Sequence, residues 1–195
     1  MTLRLVNFVS FYLGWVACVA GAGRGMTAVG PVVVAALLVL HLLLSPQPSR
    51  EARLIAMVGL LGWSVDTTQA LIGIFSFGTR SAAPWLCPLW LVAVWMIFAT
   101  TLTSSMRWLT GRYAVAALFG AAGGPLSYYY GLRLGAIEFN PNIALTLITL
   151  AVVWAAVMPL LIWLANALVP ATPGDRAAAA PVVTFLAPPV CLRCA

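Results

Sequence analysis

The feature that most constrains the fold is one carboxylate, Asp66, placed near the middle of the long apolar segment 52–77. A helix needs about 20 apolar residues to cross a bilayer, so this segment is long enough to do so. An ionisable side chain at that depth costs roughly 2.5–3.5 kcal/mol on insertion scales and therefore usually faces a bundle interior, with a partner. The segment predicts a helix packed inside a membrane bundle, with Asp66 turned towards its neighbours.

The pattern around Asp66 indicates which side of this helix is buried. At 100° per residue, the small and polar side chains of the segment fall within an arc of about 80°, and most large aliphatic side chains point elsewhere. The residues on this face are Gly59, Gly62, Asp66, Gln69 and Gly73. We interpret the face as the seam along which neighbouring helices approach, because small residues let membrane helices pack closely.

The composition agrees with a membrane protein. Of 195 residues, 63% are hydrophobic and 7% are charged, whereas soluble domains have about 25% charged residues. The apolar runs are continuous, unlike the alternating segments of about ten residues that form a membrane β-barrel. The sequence therefore predicts an all-α, polytopic membrane protein with a single domain at residues 1–169.

Turn-forming residues divide the apolar sequence into six predicted transmembrane helices. Pro46 and Pro48, for example, lie in a turn that cannot continue a helix. The predicted helices cover residues 5–23, 27–44, 52–77, 85–106, 113–132 and 143–168. The first is expected to stay uncleaved, because its apolar run of about seventeen residues exceeds that of a typical signal peptide. Residues 170–195 are rich in Pro and Ala, which predicts a disordered tail.

The net charge of +6 comes from ten scattered arginines, a distribution that favours membrane topology over nucleic-acid binding. Six helices place both termini on one side. Seven arginines fall on that side: Arg4, Arg50, Arg53, Arg107, Arg112, Arg176 and Arg193. Arg24, Arg80 and Arg133 fall on the other. The positive-inside rule predicts that both termini are cytoplasmic.

Several short blocks of residues carry a family resemblance. They are Asn7-Phe8 with Gly14-Trp15, Gly62-Trp63-Ser64-Val65-Asp66, Pro88-Leu89-Trp90-Leu91, Phe98-Ala99-Thr100-Thr101-Leu102, and Gly123-Gly124-Pro125-Leu126-Ser127-Tyr128 with Gly131 and Gly135-Ala136. In this order and spacing the chain resembles the bacterial integral-membrane family known as domain of unknown function 2878, over about residues 5–168. The resemblance implies a multi-pass protein of the bacterial inner membrane and supplies no activity.

The candidate functional site is a polar cluster centred on Asp66. Hydroxyl groups on the fourth and fifth helices are plausible neighbours, because they can bond across to an adjacent helix. The predicted cluster is Asp66, Gln69, Thr100, Thr101, Ser127 and Tyr128. Of the consecutive tyrosines 128–130, at most one is expected to face the seam. Asp66 is interpreted either as a ligand-orienting or proton-carrying carboxylate or as a structural anchor, and the residues alone leave both open.

Other polar residues give weaker signals. His41 is the single histidine and is expected to lie at the membrane interface, without acidic or thiol neighbours that would make a metal site. Cys191 and Cys194 form a lone CxxC pair, which would need two more ligands to bind a metal. Trp85, Trp90 and Trp95 are expected in the headgroup region at the start of helix four. No cofactor or metal is predicted.

Three functions remain possible on the sequence. The first is binding of a small apolar or lipid-like molecule at the Asp66 cluster. The second is a membrane-embedded enzyme of lipid or isoprenoid metabolism, with Asp66 as general acid or base. The third is a structural or assembly partner of a membrane complex. The expected partners are the bilayer, a lipid-like ligand, and a second copy or another membrane protein.

Overall fold

The fold, described by a computed structural model over residues 2–78 and 83–170, is a bundle of six α-helices. They are α1 (Thr2–Gly23), α2 (Val29–Leu44), α3 (Pro48–Leu71), α4 (Leu89–Leu102), α5 (Tyr113–Arg133) and α6 (Ile143–Leu168). A short 3₁₀ turn, Arg107–Leu109, lies between α4 and α5. The all-α prediction is confirmed. The predicted tail, with Cys191 and Cys194, lies outside the described residues, as does Arg80.

The length of the helices and the distribution of their side chains are typical of a protein surrounded by lipid. Three of them, α1 from Arg4, α3 and α6, are long and apolar enough to cross a membrane, while α2 and α4 are apolar but shorter. Large aliphatic side chains lie on the outside, among them Leu43 at 78% and Leu118 at 73% exposure, whereas Asp66 and Thr146 are fully buried. Apolar side chains outside and polar ones inside suit hydrocarbon surroundings. The chain is a membrane protein.

Helix α4 lies at the centre of the bundle. It packs against α1, α2, α3 and α6, while α5 pairs mainly with α6. Every residue of α4 except Leu89 is buried or half-buried. Residues from α4 can therefore meet partners on several helices, and this places α4 at the centre of both polar regions described below.

Helix α3 ends at Leu71, before the predicted end at residue 77. The chain turns at Gly73, whose φ of +76° is a left-handed conformation that glycine adopts readily. The following residues form strand β1 (Phe75–Ser76), which pairs antiparallel with β2 (Glu138–Phe139). The apolar run continues through this turn, so hydrophobicity alone could not reveal the end of the helix.

Helix α4 is also shorter than the predicted 85–106. Pro88 precedes its first residue in an extended conformation. At the other end, the Thr101 carbonyl accepts a hydrogen bond of 2.7 Å from the Met106 amide. This bond closes a turn, and the α-helix does not continue. Hydroxyl side chains in this stretch bond to nearby backbone carbonyls, as such residues do where they compete with helix geometry.

Glycines allow α5 and α6 to approach closely. A Cβ added at Gly120 would overlap the Trp154 carbonyl and the Met158 side chain, and one added at Gly124 would overlap the Trp154 ring. Gly123, on the same helix, has open space around it. The predicted small face of α5 therefore has a specific partner, the Trp154–Met158 surface of α6.

We predict that Gly120→Ala lowers the thermal unfolding midpoint in detergent, whereas Gly123→Ala leaves it unchanged or raises it. Alanine favours an exposed helical site by about 1 kcal/mol over glycine, but at Gly120 the added methyl meets backbone that cannot move aside, at a cost of about 1–3 kcal/mol. Equal midpoints for the two variants would contradict this account of the interface.

Candidate functional site

Asp66 lies at the meeting point of three helices. It belongs to α3 and has no exposed surface. Its Oδ2 accepts a hydrogen bond of 2.7 Å from Nε1 of Trp95 on α4. Its Oδ1 accepts a hydrogen bond from the hydroxyl of Tyr128 on α5. Both carboxyl oxygens therefore have donors, and each donor comes from a different neighbouring helix.

Aromatic rings enclose the two donors. The Trp154 indole stacks on Trp95 with ring centroids 4.8 Å apart and planes 10° from parallel. Phe75 lies against Tyr128 at 5.3 Å. On α3, Gly62 makes room for Trp95, because a Cβ there would overlap the indole ring. These contacts restrict the orientation of both donors, and the Asp66 group forms a closed, aromatic-lined polar site.

Of the predicted cluster, only Tyr128 contacts Asp66 by a hydrogen bond. It is buried, while Tyr129 and Tyr130 are 38% and 51% exposed, so one of the three tyrosines faces the seam as expected. Gln69 is buried on the predicted face of α3, but neither atom of its amide has a hydrogen-bond partner among the described residues. Gln69 thus takes no part in holding Asp66.

The predicted hydroxyl groups have other partners. Thr100 accepts a hydrogen bond of 2.9 Å from Nδ2 of Asn7 on α1. Ser127 accepts one of 3.0 Å from Nε1 of Trp15, also on α1. Thr101 donates to a carbonyl of its own helix. The structure divides the predicted cluster into a closed Asp66 site and separate hydroxyl contacts that attach α1 to α4 and α5.

Sequence reasoning missed Trp95 as a partner of Asp66. The headgroup position suits Trp85, which is 50% exposed, but Trp90 and Trp95 are buried. A buried indole N–H needs an acceptor, and Asp66 offered one within an apolar segment. Two features of the sequence could have indicated this pair. One is the acceptor that a buried indole N–H needs, and the other is Gly62, which leaves space for a large ring one turn before Asp66.

A second polar group surrounds Glu51 near the start of α3. Glu51 is buried and contacts Nε2 of His41 on α2. Its carboxylate also accepts hydrogen bonds from Ser45, at 3.0 Å, and from Thr103, the residue after α4, at 3.4 Å. His41 was expected to have no acidic neighbour. The turn between α2 and α3 brings Glu51 to it.

This second group lines a cavity of about 520 Å³ between α1, α2 and the end of α4, which we call the terminal cavity. Its apolar lining includes Val6, Leu37, Leu40 and Leu44. Its polar lining residues are more numerous and include Arg4, Asn7, Ser10, His41, Glu51, Thr100, Thr103, Ser104 and Arg107. The terminal cavity is within the range of about 300–1,000 Å³ typical of small-molecule pockets. No sequence pattern predicted it.

A metal site requires a particular arrangement of ligating side chains. Within residues 2–78 and 83–170, no group of three or more His, Cys, Asp or Glu side chains is arranged to hold a metal ion. Cys18 and Cys87 are both buried free thiols in this part of the chain.

The fold and the two polar regions define an all-α membrane protein with a closed carboxyl site and an open, charged cavity. The chain belongs to the family described as Protein of unknown function (DUF2878), which matches residues 4–160. The resemblance seen in the sequence is thereby confirmed, and the match includes Asp66, Trp95, Tyr128 and Trp154. No curated protein and no solved structure matches the chain.

We predict that Tyr128→Phe lowers the free energy of unfolding by about 1–3 kcal/mol, because it leaves Oδ1 of the buried Asp66 carboxyl without a donor. Tyr129→Phe removes an equivalent hydroxyl from an exposed position and should have little effect. Chemical unfolding in detergent micelles measures both.

A double-mutant cycle with Asp66→Leu tests whether the hydrogen bond is responsible, because leucine has a similar branched shape and no acceptor for the Tyr128 hydroxyl. If Tyr128→Phe costs the same in the wild type and in the Asp66→Leu background, the cost comes from elsewhere and the proposed anchor is wrong.

Proposed function

We propose that this protein is a multi-pass protein of the bacterial inner membrane that binds a small lipid-like molecule in the terminal cavity. The observation that carries the proposal is the cavity itself, which combines an apolar wall with a polar, charged lining. Ligand pockets have this character: mostly apolar surface with a few polar groups that fix orientation.

The apolar wall of the terminal cavity is continuous with the surface that faces lipid. Val6, Leu40 and Leu44 line the cavity and are 41%, 45% and 54% exposed. An acyl or isoprenyl chain could lie along this wall while its polar end meets the side chains at the end of the bundle. Entry would then be lateral, from the bilayer, with no passage through water.

Asp66 has a structural role in this proposal. A general acid or base must come within about 2.6–3.2 Å of the group it serves. Asp66 has no exposed surface, and both of its oxygens already accept hydrogen bonds from Trp95 and Tyr128. These contacts favour a structural role for Asp66, as an anchor that joins three helices. They favour a ligand-binding or catalytic role less.

The arginines support an orientation with both termini in the cytoplasm. Among the described residues, Arg4, Arg50, Arg53, Arg107 and Arg112 lie at the end of the bundle that holds the terminal cavity, and Arg24 and Arg133 at the other end. This asymmetry follows the positive-inside rule. The terminal cavity would then open at the cytoplasmic leaflet.

We predict that Thr27→Cys is labelled from outside intact spheroplasts by a membrane-impermeant maleimide, and that Thr110→Cys is labelled only after lysis. Both positions are exposed and lie at opposite ends of the bundle. Cys191 and Cys194 are replaced by serine in both variants, and Cys18 and Cys87 are buried. The reverse labelling pattern would overturn the proposed orientation.

We predict that Ser10→Trp reduces the amount of amphiphile that co-purifies with the protein, as measured by native mass spectrometry. Ser10 lines the terminal cavity, so the added indole takes up space there. Val9→Trp is the matched control, because Val9 is the adjacent residue, is 47% exposed and does not line the cavity. Equal ligand occupancy in the two variants would contradict binding in the cavity. A co-purifying protein with no bound amphiphile would favour an assembly role instead.

A further inference from the structure

We propose that the molecule bound in the terminal cavity has a phosphate headgroup, and that Arg4 and Arg107 bind this group. The inference rests on the proposed function and specifies the chemical class of its ligand. It follows from the charges around the cavity, the fixed position of one arginine and the end of the bundle at which the cavity opens.

The charged lining of the cavity is cationic overall. Among the described residues, two guanidinium groups, of Arg4 and Arg107, line it with one carboxylate, that of Glu51. The carboxylate is already contacted by His41, Ser45 and Thr103. A guanidinium group has five N–H donors in a planar arrangement that suits phosphate oxygens.

Arg107 is held in place before any ligand binds. One of its terminal nitrogens donates to the Thr103 carbonyl at 3.1 Å, and the other donates to the Val169 carbonyl at 3.2 Å. These bonds place the cation beside the last turns of α4 and α6. A binding group that is already oriented loses less conformational entropy on binding, so the cost of ordering this side chain is largely met by the fold.

Neutral donors lie beside the cations. Ser10 and Ser104 line the same cavity and carry hydroxyl groups that can donate to phosphate oxygens. Asn7 donates to Thr100 and accepts from Ser105, so hydrogen bonds connect α1 with the end of α4 beside the cavity. The lining therefore includes several side chains with hydrogen-bond donors, as a phosphate group requires.

The position of the terminal cavity in the bundle agrees with a phosphate-bearing ligand. The terminal cavity lies at the end of the bundle where most arginines gather, and basic pockets between helices on the cytoplasmic side bind anionic lipid headgroups. The apolar wall formed by Leu37, Leu40 and Leu44 then accommodates the chain attached to the phosphate. A phosphate with an apolar chain can therefore contact both the arginines and the apolar wall.

The test titrates the full-length protein in detergent with four probes and follows binding by native mass spectrometry. The probes are phosphatidate, phosphatidylcholine, diacylglycerol with the same acyl chains, and inorganic phosphate. The variants are Arg4→Gln, Arg107→Gln and Arg107→Lys, and the matched control is Arg24→Gln at the opposite end of the bundle. Because Arg107 also contacts the end of α6, the unfolding midpoint of each variant is measured in parallel.

We expect phosphatidate to bind more tightly than diacylglycerol, and each Arg→Gln substitution in the cavity to weaken phosphatidate binding about fivefold. Arg107→Lys should keep part of the affinity, and Arg24→Gln should keep all of it. Arg4 is exposed on the first turns of α1, so Arg4→Gln tests the proposal even if Arg107→Gln unfolds the protein.

Three results would overturn the inference, and they are distinguishable. One result is that Ser10→Trp weakens the binding of phosphatidate and diacylglycerol alike, while the arginine variants bind both as the wild type does. The cavity then binds amphiphiles without recognising the phosphate group. If Ser10→Trp weakens no probe, binding in the cavity is wrong altogether. If inorganic phosphate binds as tightly as phosphatidate and displaces it, the site serves free phosphate and not a lipid.

Discussion

The rest of the structure depends on the need of one buried carboxyl group for hydrogen-bond donors. In hydrocarbon no water is present to solvate Asp66, so its donors must come from the protein. Trp95 and Tyr128 supply them from two other helices. Because these donors are large, their neighbours must be small: Gly62 accommodates Trp95, and Gly124 accommodates Trp154, which stacks on Trp95. A single polar residue thus accounts for glycines on two helices and for the relative positions of α3, α4 and α5.

Helix α4 connects this closed site to the terminal cavity. Trp95 near its middle bonds to Asp66, while Thr100 in its last turn and Thr103 just after its end line the cavity. At about 1.5 Å per residue, Trp95 and Thr103 lie about 12 Å apart along the axis. Since the Asp66 contacts fix the rotation of α4, they also fix which side chains of α4 face the cavity. The closed site therefore holds in position one wall of the cavity for which ligand binding is proposed.

Much of the fold followed from local sequence, and the site followed only in part. Apolar runs and the cost of burying Asp66 predicted an all-α membrane bundle and the buried face of α3, and both depend on properties of single segments. The end of α3 was missed because Gly73 lies within an uninterrupted apolar run. Trp95 and the terminal cavity were missed because they depend on how helices are placed against one another. Hydropathy gives no information about which helices become neighbours.

The two polar regions differ in the space that they offer to an added molecule. At Asp66, each carboxyl oxygen has a donor and no surface is exposed, so an added molecule would have to break an existing hydrogen bond. At the terminal cavity, cationic and hydroxyl side chains line a volume of about 520 Å³ that an added molecule could occupy. This difference supports the proposed ligand at the end of the bundle and a structural role for the carboxyl group at its centre.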